Sequence, residues 1–257
     1  MTTDAAATAD PILRLRGVGR RFGGVHAVRD VDLDVAHGER RAILGPNGAG
    51  KTTLFNVIAG DVPPTAGRIE IGGRDVTGLP ARARPVLGLS RSYQKSRLFL
   101  GLTVEQNLVL ALVGRVGGRL RLFPSKRDQE LRERARAAAE RVALGGRIDT
   151  LVGSLSHGEQ RQLEVGMASV TDPSLIMLDE PASGLSRGER ERLTELLLAL
   201  PREVTLILIE HDMDVALTVA EYVTMMHDGR KIVEGTPAEI RANETVHALY
   251  LGSGHHE

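Results

Sequence analysis

Hydrophobic and polar residues alternate along a segment near the start of the chain. Three apolar residues there are separated by aspartates, in the order Asp30, Val31, Asp32, Leu33, Asp34 and Val35. An earlier segment leads from Ile12, Leu13 and Leu15 toward Phe22 with a similar spacing. A period of two is typical of strands that bury one face and expose the other. The pattern therefore predicts two strands of a half-solvated antiparallel sheet.

Short apolar runs further along the chain predict buried strands beside helices. The run at residues 42–44 ends at Gly45, and residues 51–59 have the pattern of a helix. Residues 67–72 predict another strand, which is closed by two glycines.

The middle and the end of the chain differ in their pattern. Between residues 91 and 168 apolar residues recur at helical spacing, for example Leu131, Ala135, Ala138 and Val142. Strand patterns over 175–178, 204–209 and 223–226 then alternate with helix patterns over 189–200 and 213–220. Strands joined by helices of this length indicate a parallel sheet with crossover connections. We therefore predict an α/β fold with a mainly parallel sheet, an antiparallel β subdomain and an inserted helical subdomain.

Composition excludes several classes of protein. The chain has 257 residues, and its 33 basic residues balance 33 acidic ones, so it lacks the charge of a typical nucleic-acid-binding protein. It has no cysteine, which excludes disulfides and thiolate chemistry. No apolar run approaches the about 18 residues that span a bilayer, and the first ten residues do not have the pattern of a signal peptide. We expect a soluble intracellular protein that does not bind nucleic acid.

One segment matches the phosphate-binding loop (P-loop) pattern without a mismatch. It consists of Gly45, Pro46, Asn47, Gly48, Ala49, Gly50, Lys51 and Thr52, between a predicted strand and a predicted helix. Glycines allow the backbone to fold around phosphate oxygens, so that N–H groups and the helix N-terminus face negative charge. We expect Lys51 to reach the β- and γ-phosphates and Thr52 to ligate Mg²⁺, with Thr53 also at the nucleotide. The alternative is a glycine-rich turn without a ligand.

An acidic pair follows the predicted strand at residues 175–178. Asp179 comes at the carboxyl end of this strand, where open α/β sheets bind ligands, and we expect it to hold Mg²⁺. Glu180 is then placed to polarise the attacking water. The alternative is a solvated acidic pair before Pro181.

The segment before the Asp179 strand resembles the signature of a known family. It reads Leu155, Ser156, His157, Gly158, Glu159 and Gln160, and is similar to the Leu-Ser-Gly-Gly-Gln of ATP-binding-cassette (ABC) ATPases. His157 and Glu159 depart from that pattern as variants which the family tolerates. The resemblance implies that this helix start, with Ser156, Gly158 and Glu159, binds the γ-phosphate of ATP held on a second protomer. Without the resemblance, Ser156 and Glu159 form a capping box of an ordinary helix.

Three more residues resemble functional positions of this family. The resemblance implies that Gln94 approaches Mg²⁺ and the water, that His211 contacts the γ-phosphate, and that Phe22 stacks on adenine. The alternatives are a surface glutamine, a loop histidine and an aromatic residue packed in the core. Because the chain has only four Phe, three Tyr and no Trp, the position of Phe22 in a polar turn favours the adenine interpretation.

The loop after Pro181 departs from the family pattern. The family usually has Ser-Ala-Leu-Asp there, whereas this chain has Ser183, Gly184, Leu185 and Ser186. Ser186 followed by Glu189 is another capping-box pattern and predicts the start of the next helix. How two ATP sites are coupled through this loop stays open.

The resemblance extends over residues 13–252. Within the family the chain is most similar to ATPase subunits of importers for branched-chain amino acids and related small amides such as urea. The segments 92–94, 97–99, 102–108, 210–213 and 250–252 carry this similarity. ATPases of lipopolysaccharide export are also similar.

The resemblance implies an organisation and a set of partners. A P-loop ATPase core with the antiparallel β subdomain is expected at residues 11–93 and 173–252, the helical subdomain at 94–172, and flexible tails at 1–10 and 253–257. The cofactors are ATP and Mg²⁺, and the catalytic residues are Lys51, Gln94, Glu180 and His211. The implied partners are a second ATPase subunit (identical or paralogous), transmembrane permease subunits and, indirectly, a periplasmic or extracellular substrate-binding protein. The implied location is the cytoplasmic face of the cell membrane.

Two other functions stay open. One is a regulatory nucleotide switch, although the signature, His211 and the lack of an Asn-Lys-x-Asp motif argue against a GTPase. The other is a cytosolic ABC protein that acts on ribosomes or DNA. Such proteins usually carry two cassettes or long coiled-coil insertions, and neither fits in 257 residues.

The predicted helical subdomain contains a basic stretch. Its members are Arg115, Arg119, Arg121, Lys126, Arg127, Arg132, Arg134, Arg136 and Arg141. A solvated helix face is the default interpretation. The alternative is contact with anionic lipid headgroups or with an acidic helix of a membrane partner.

Overall fold

The structure, a computed structural model, describes residues 10–92, 98–116 and 126–251. The strands in these residues are β1 (Leu13–Phe22), β2 (Val25–Val35), β3 (Arg40–Leu44), β4 (Ala66–Ile71), β5 (Arg74–Asp75), β6 (Leu89–Arg91), β7 (Leu175–Asp179), β8 (Thr205–Ile209), β9 (Tyr222–His227) and β10 (Arg230–Gly235). The α-helices are α1 (Lys51–Ala59), α2 (Val104–Val116), α3 (Lys126–Arg141), α4 (His157–Ser169), α5 (Arg187–Leu198), α6 (Met213–Val219), α7 (Pro237–Arg241) and α8 (Glu244–Leu251).

The first sheet is antiparallel and has the strand order β2-β1-β4-β5. In β2, Val31, Leu33 and Val35 are buried, whereas Asp32 and Asp34 between them are exposed. The alternation of the sequence therefore has the predicted cause, because one face of the strand packs on the core and the other faces solvent.

The second sheet has six strands in the order β10-β9-β3-β8-β7-β6. All neighbours pair in parallel except β9 and β10, which form an antiparallel hairpin. Every residue of β3, β7 and β8 is buried, as expected of parallel strands covered on both faces. The predicted α/β fold with a mainly parallel sheet is confirmed.

The strand order places the functional segments at one edge of this sheet. Strands β3, β8 and β7 are adjacent and parallel, so their carboxyl ends lie side by side. The residues that follow these ends are Gly45, Glu210 and Glu180.

The helical region packs against one face of the main sheet. Leu108 of α2, Ala138 of α3 and Leu163 of α4 belong to one buried cluster together with Leu178 and Leu208 of the sheet. The apolar residues whose spacing predicted α3 therefore lie on the buried face of this helix. None of the described helices is both long and apolar enough to cross a bilayer.

A buried arginine connects the antiparallel region to α1. The side chain of Arg84 is 1% exposed, and its guanidinium donates to the carbonyl oxygens of Val57 and Ile58 in the last turn of α1. It also donates to the carbonyl oxygens of Val76 and Leu79. Burial lowers the pKa of Arg84 to about 10, so the group stays charged at neutral pH.

Two residues of the predicted basic stretch pair with acids within the chain. Arg134 Nη2 lies 2.8 Å from Asp172 Oδ2, and Arg136 Nε lies 2.9 Å from Glu105 Oε1. These contacts favour the default interpretation for Arg134 and Arg136. Arg119 and Arg121 of the same stretch lie outside the described residues.

Candidate nucleotide-binding site

The predicted P-loop connects β3 to α1, and the helix begins at Lys51 as expected. Gly45 (φ 150°) and Gly50 (φ 97°) have backbone angles that other residues rarely adopt. A Cβ atom on Gly45 would lie 2.2 Å from the Met226 carbonyl oxygen, and one on Gly50 would lie 2.3 Å from that of Ala27. Both positions therefore require glycine, because the neighbouring backbone leaves no room for a side chain.

A cavity of about 450 Å³ opens above this loop. It is lined by Val25, His26, Ala27, Arg29, Asn47, Gly48, Ala49, Gly50, Lys51, Thr52, Thr53, Glu180, Asp228 and Gly229. No side chain of the described residues caps the N-terminus of α1, and its first turn has no acidic residue. The first N–H groups of a helix and its dipole favour an anion, so the cavity suits phosphate.

Lys51 is buried beneath the loop. Its Nζ donates to the carbonyl oxygens of Gly45 at 2.6 Å and Pro46 at 3.1 Å. Burial lowers the pKa of Lys51, and the carboxylates of Glu180 and Asp179 oppose this effect. A phosphate group would offer the ammonium a stronger partner than these neutral carbonyls.

Asp179 is buried at the end of β7, where its N–H donates to Ser92 Oγ at 3.2 Å. Burial and the adjacent Glu180 carboxylate raise the pKa of Asp179 to about 6, although Arg91 and Lys51 act in the opposite direction. Its Oδ1 is buried and has no hydrogen-bond partner among the described residues. A carboxylate oxygen in this condition fits a bound cation, which would supply the missing partner.

Glu180 lies between the cavity and the end of β8. Its φ of 49° is in the left-handed region, which is uncommon for a residue other than glycine and occurs often at functional sites. Its N–H donates to the Ile209 carbonyl oxygen, and its Oε2 lies 3.8 Å from Nδ1 of His211. The structure thus brings Glu180 and His211 together.

Glu210 connects the segment after Glu180 to the segment of His211. The sequence alone assigned it no role. The residue is fully buried, and its carboxylate accepts the N–H groups of Ala182 at 2.9 Å and His211 at 3.2 Å. Burial raises the pKa of Glu210. The signal that could have identified it is a charged residue at the end of an otherwise apolar strand.

The hairpin between β9 and β10 also supports the P-loop and was not predicted. Asp228 (φ 48°) and Gly229 (φ 77°) form its turn, as expected of an Asp-Gly pair. The N–H of Gly229 donates to the Ala49 carbonyl oxygen at 3.0 Å, and the N–H of Arg29 donates to the Gly229 carbonyl oxygen at 2.7 Å. The Asp-Gly pair in the sequence was the available signal.

The structure describes Phe22 but not Gln94, the two residues predicted to contact adenine and Mg²⁺. Phe22 ends β1 opposite Val25 and is 46% exposed, which excludes packing in the core. The Arg20 guanidinium carbon lies 4.4 Å from the centre of its ring, so one ring face is covered. Phe22 does not line the cavity described above, although Val25 does. Gln94 lies outside the described residues.

The signature segment forms the start of α4. Ser156 is the N-cap, its Oγ accepts the Glu159 N–H at 3.2 Å, and Glu159 Oε2 accepts the Ser156 N–H at 2.8 Å. The capping box is therefore present. Gly158 is buried in the first turn of the helix. Within one protomer Ser156, Gly158 and Glu159 do not line the P-loop cavity.

Comparison with known proteins agrees with this geometry. A family model described as ABC transporter matches residues 28–183, and one described as branched-chain amino acid ATP-binding cassette transporter matches residues 230–256. The high-affinity branched-chain amino acid transport ATP-binding protein LivG of Salmonella typhimurium is 38% identical over 252 residues, which cover 95% of this chain and 99% of LivG.

Solved structures are similar over most of their length. An ATP-binding cassette of an ABC transporter in its ADP conformation aligns with a TM-score of 0.84 and 28% identity, over 94% of this chain and 98% of that one. A dimeric ATP-binding cassette in a post-hydrolysis state, bound to ADP and Pi, aligns with a TM-score of 0.74 and 25% identity, over 88% of this chain and 98% of that one. The chain belongs to the ABC transporter family, as one of its ATP-hydrolysing subunits.

Proposed function

We propose that this chain energises a membrane importer for branched-chain amino acids or a related small amide such as urea. The main support is the cavity that Lys51 and Glu180 line at the uncapped N-terminus of α1. At the adjacent strand end lies the Asp179 oxygen that has no partner among the described residues. The relatives named for branched-chain amino acid transport support the substrate class. They do not favour the alternatives of an export ATPase or a regulatory switch.

The P-loop residues hold the triphosphate of ATP. The N–H groups from Asn47 to Thr53 surround the phosphates, and Lys51 moves from the loop carbonyls to the β- and γ-phosphates. Because Lys51 is already buried, its charge acts in a medium of low dielectric and is weakly screened. The exposed face of Phe22 stacks on adenine, while Arg20 holds the opposite face of the ring.

Asp179 and Thr52 hold Mg²⁺, together with Gln94. The buried Asp179 oxygen, which no described residue contacts by a hydrogen bond, fits this assignment because a cation satisfies it and keeps the carboxyl group ionised. When bound, Mg²⁺ neutralises charge on the phosphate oxygens. Glu180 accepts a hydrogen bond from the attacking water and orients it, and His211 contacts the γ-phosphate.

Hydrolysis requires a second ATPase subunit. We assign Ser156, Gly158 and Glu159 to the site of a partner, and their absence from the lining of the cavity in their own protomer supports this assignment. A dimer of a similar cassette with ADP and Pi is known, which supports this arrangement. The dimer transmits its closure to transmembrane permease subunits at the cytoplasmic face of the membrane. A periplasmic or extracellular substrate-binding protein delivers the substrate to those subunits.

The substitution Glu180→Gln tests the proposed function. Glutamine keeps the size of the side chain and removes its charge, so ATP should still bind while the water is no longer activated. We expect turnover to fall by about 100-fold or more, because general-base catalysis contributes on the order of 10²–10⁴. We also expect an ATP-dependent dimer, measured by light scattering after gel filtration.

Glu191→Gln is the matched control. Glu191 is 63% exposed on α5 and pairs with Arg187, so the substitution makes the same charge change away from the site. It should leave turnover unchanged. Normal turnover by Glu180→Gln, together with a monomer in ATP, would contradict the proposed function.

A further inference from the structure

A carboxylate from α5 lies on the first turn of the signature helix. Glu189 Oε1 accepts the N–H of Gly158 at 3.1 Å. The other oxygen, Oε2, accepts the Ser186 N–H at 2.9 Å and the Ser186 hydroxyl at 2.7 Å. One side chain thus connects the start of α4 to the start of α5.

The contact is close enough to leave no space above Gly158. A Cβ atom at this position would lie 2.6 Å from Glu189 Oε1 and 2.8 Å from its Cγ. The hydrogen bonds from Ser186, and then the one from Gly158, hold the pKa of Glu189 below its usual range. The group over the Gly158 N–H is therefore an anion at neutral pH.

One of the two departures from the family signature, His157, lies next to this contact. A Cβ atom on Gly184 would lie 3.2 Å from the ring of His157, so the signature turn also touches the loop that leads from Glu180 to Ser186. The loop residue Ser183 donates its N–H to the Glu180 carbonyl oxygen at 3.1 Å. A displacement of Glu189 would be passed to this loop through Ser186.

The Gly158 N–H cannot satisfy two anions at once. Under the proposed function it donates to the γ-phosphate of ATP on the partner subunit, yet in the separate protomer it donates to Glu189. A phosphate that approaches this helix start is also repelled by the carboxylate, which carries the same sign of charge.

We propose that Glu189 is a positioning residue that occupies the phosphate-binding N–H of the signature helix in the separate protomer and is displaced when an ATP-loaded second copy docks. Glu189 thereby sets the affinity of the ATP-dependent dimer, and its release signals docking to the loop after Glu180. This inference rests on the proposed function, since it requires the signature helix to meet ATP on the partner subunit.

The test measures dimer affinity in a background that does not turn over. Glu189→Gln is combined with Glu180→Gln, and the dimer dissociation constant is measured in ATP by analytical ultracentrifugation. Glutamine at this position keeps the capping box of α5 but removes the charge. We expect the dimer to tighten by about twofold to fivefold, the range for the favourable interaction of one anion with a helix N-terminus, which the glutamine no longer offers in competition with the phosphate.

A second variant separates competition for the N–H from support of the fold. Glu189→Ala leaves the Gly158 N–H unoccupied, so the dimer should tighten at least as much even though the ATP-free monomer melts at a lower temperature. ATP affinity of the isolated monomer should stay unchanged in both variants, because Glu189 does not line the P-loop cavity. A purely structural role for Glu189 predicts instead that Glu189→Ala weakens the dimer.

The exposed Glu191 on the same helix again supplies the matched control, as Glu191→Gln in the Glu180→Gln background. Its dimer constant should equal that of the parent. The inference is overturned if both Glu189 variants dimerise like this control or more weakly. If the parent itself forms no dimer in ATP, the proposed function fails, and the inference fails with it.

Discussion

Asp179 and Glu210 are both buried acids at the ends of neighbouring strands, but their surroundings differ. Glu210 accepts two backbone N–H groups, whereas Asp179 keeps an oxygen without a partner in the described part of the chain. Burial raises the pKa of both carboxyl groups. The satisfied acid therefore has a structural task, and the unsatisfied one is suited to bind a cation.

Glu210→Gln should change how stability depends on pH. The pKa of Glu210 in the folded state lies above its unfolded value, which is about 4.5. The stability that the neutral carboxyl group of Glu210 contributes is therefore fully present below that unfolded value. It is lost as the pH rises through the folded pKa, because the group then ionises while buried. Glutamine stays neutral, so the melting temperature of the variant minus that of the wild type should increase between pH 4.5 and pH 8.

Thermal unfolding in Mg²⁺-free buffer at several pH values measures this difference. Glu203→Gln is the control, because Glu203 is exposed at the opposite end of β8. The control difference should be flat with pH. A difference for Glu210→Gln that shrinks as the pH rises would show that the buried carboxylate is stabilised by its two N–H donors more than it is penalised by burial.

At the scale of elements, Arg84 ties the end of α1 to the antiparallel region. Arg84→Lys should not preserve this connection, since a single ammonium cannot reach the four carbonyls that the planar guanidinium contacts. The carbonyl oxygens of Val57 and Val76 keep a backbone N–H donor, but the buried hydrogen bonds from the guanidinium are lost. We expect a loss of about 3 kcal/mol in the free energy of unfolding.

Urea unfolding measures this loss, with Arg82→Lys as the control at an exposed position two residues away. The control should change stability by less than about 0.5 kcal/mol. If Arg84→Lys unfolds at the same urea concentration as the control, the guanidinium is not what holds these elements together.

The elements were predictable where pattern and chemistry are local. The bounds of α1, and the alternation of buried and exposed residues in β2, follow from residues close together in sequence. The roles of Arg84 and Glu210 could not be assigned in the same way, because their distant partners, such as Ile58 and Ala182, are brought near only by the fold. The contact of Glu189 with Gly158 joins residues 31 positions apart, and no sequence pattern predicts it.

At the scale of the whole molecule, the nucleotide cavity lies where three parts of the fold meet. Val25 comes from the antiparallel sheet, Lys51 and Thr53 come from the P-loop and α1, and Gly229 comes from the hairpin of β9 and β10. A ligand that contacts all three parts binds the folded state only. ATP should therefore stabilise the entire chain against unfolding rather than one region.

At 100 times its dissociation constant, ATP should add about 2.7 kcal/mol to the free energy of unfolding. For a chain of this size that corresponds to a rise of about 5–10 °C in melting temperature. Lys51→Ala should abolish the rise, because it removes the cation beneath the phosphates, while Lys231→Ala on β10 should retain it. Scanning calorimetry should record one transition that moves as a whole. A split transition, with one part unmoved by ATP, would mean that the three parts unfold independently and that the cavity does not join them.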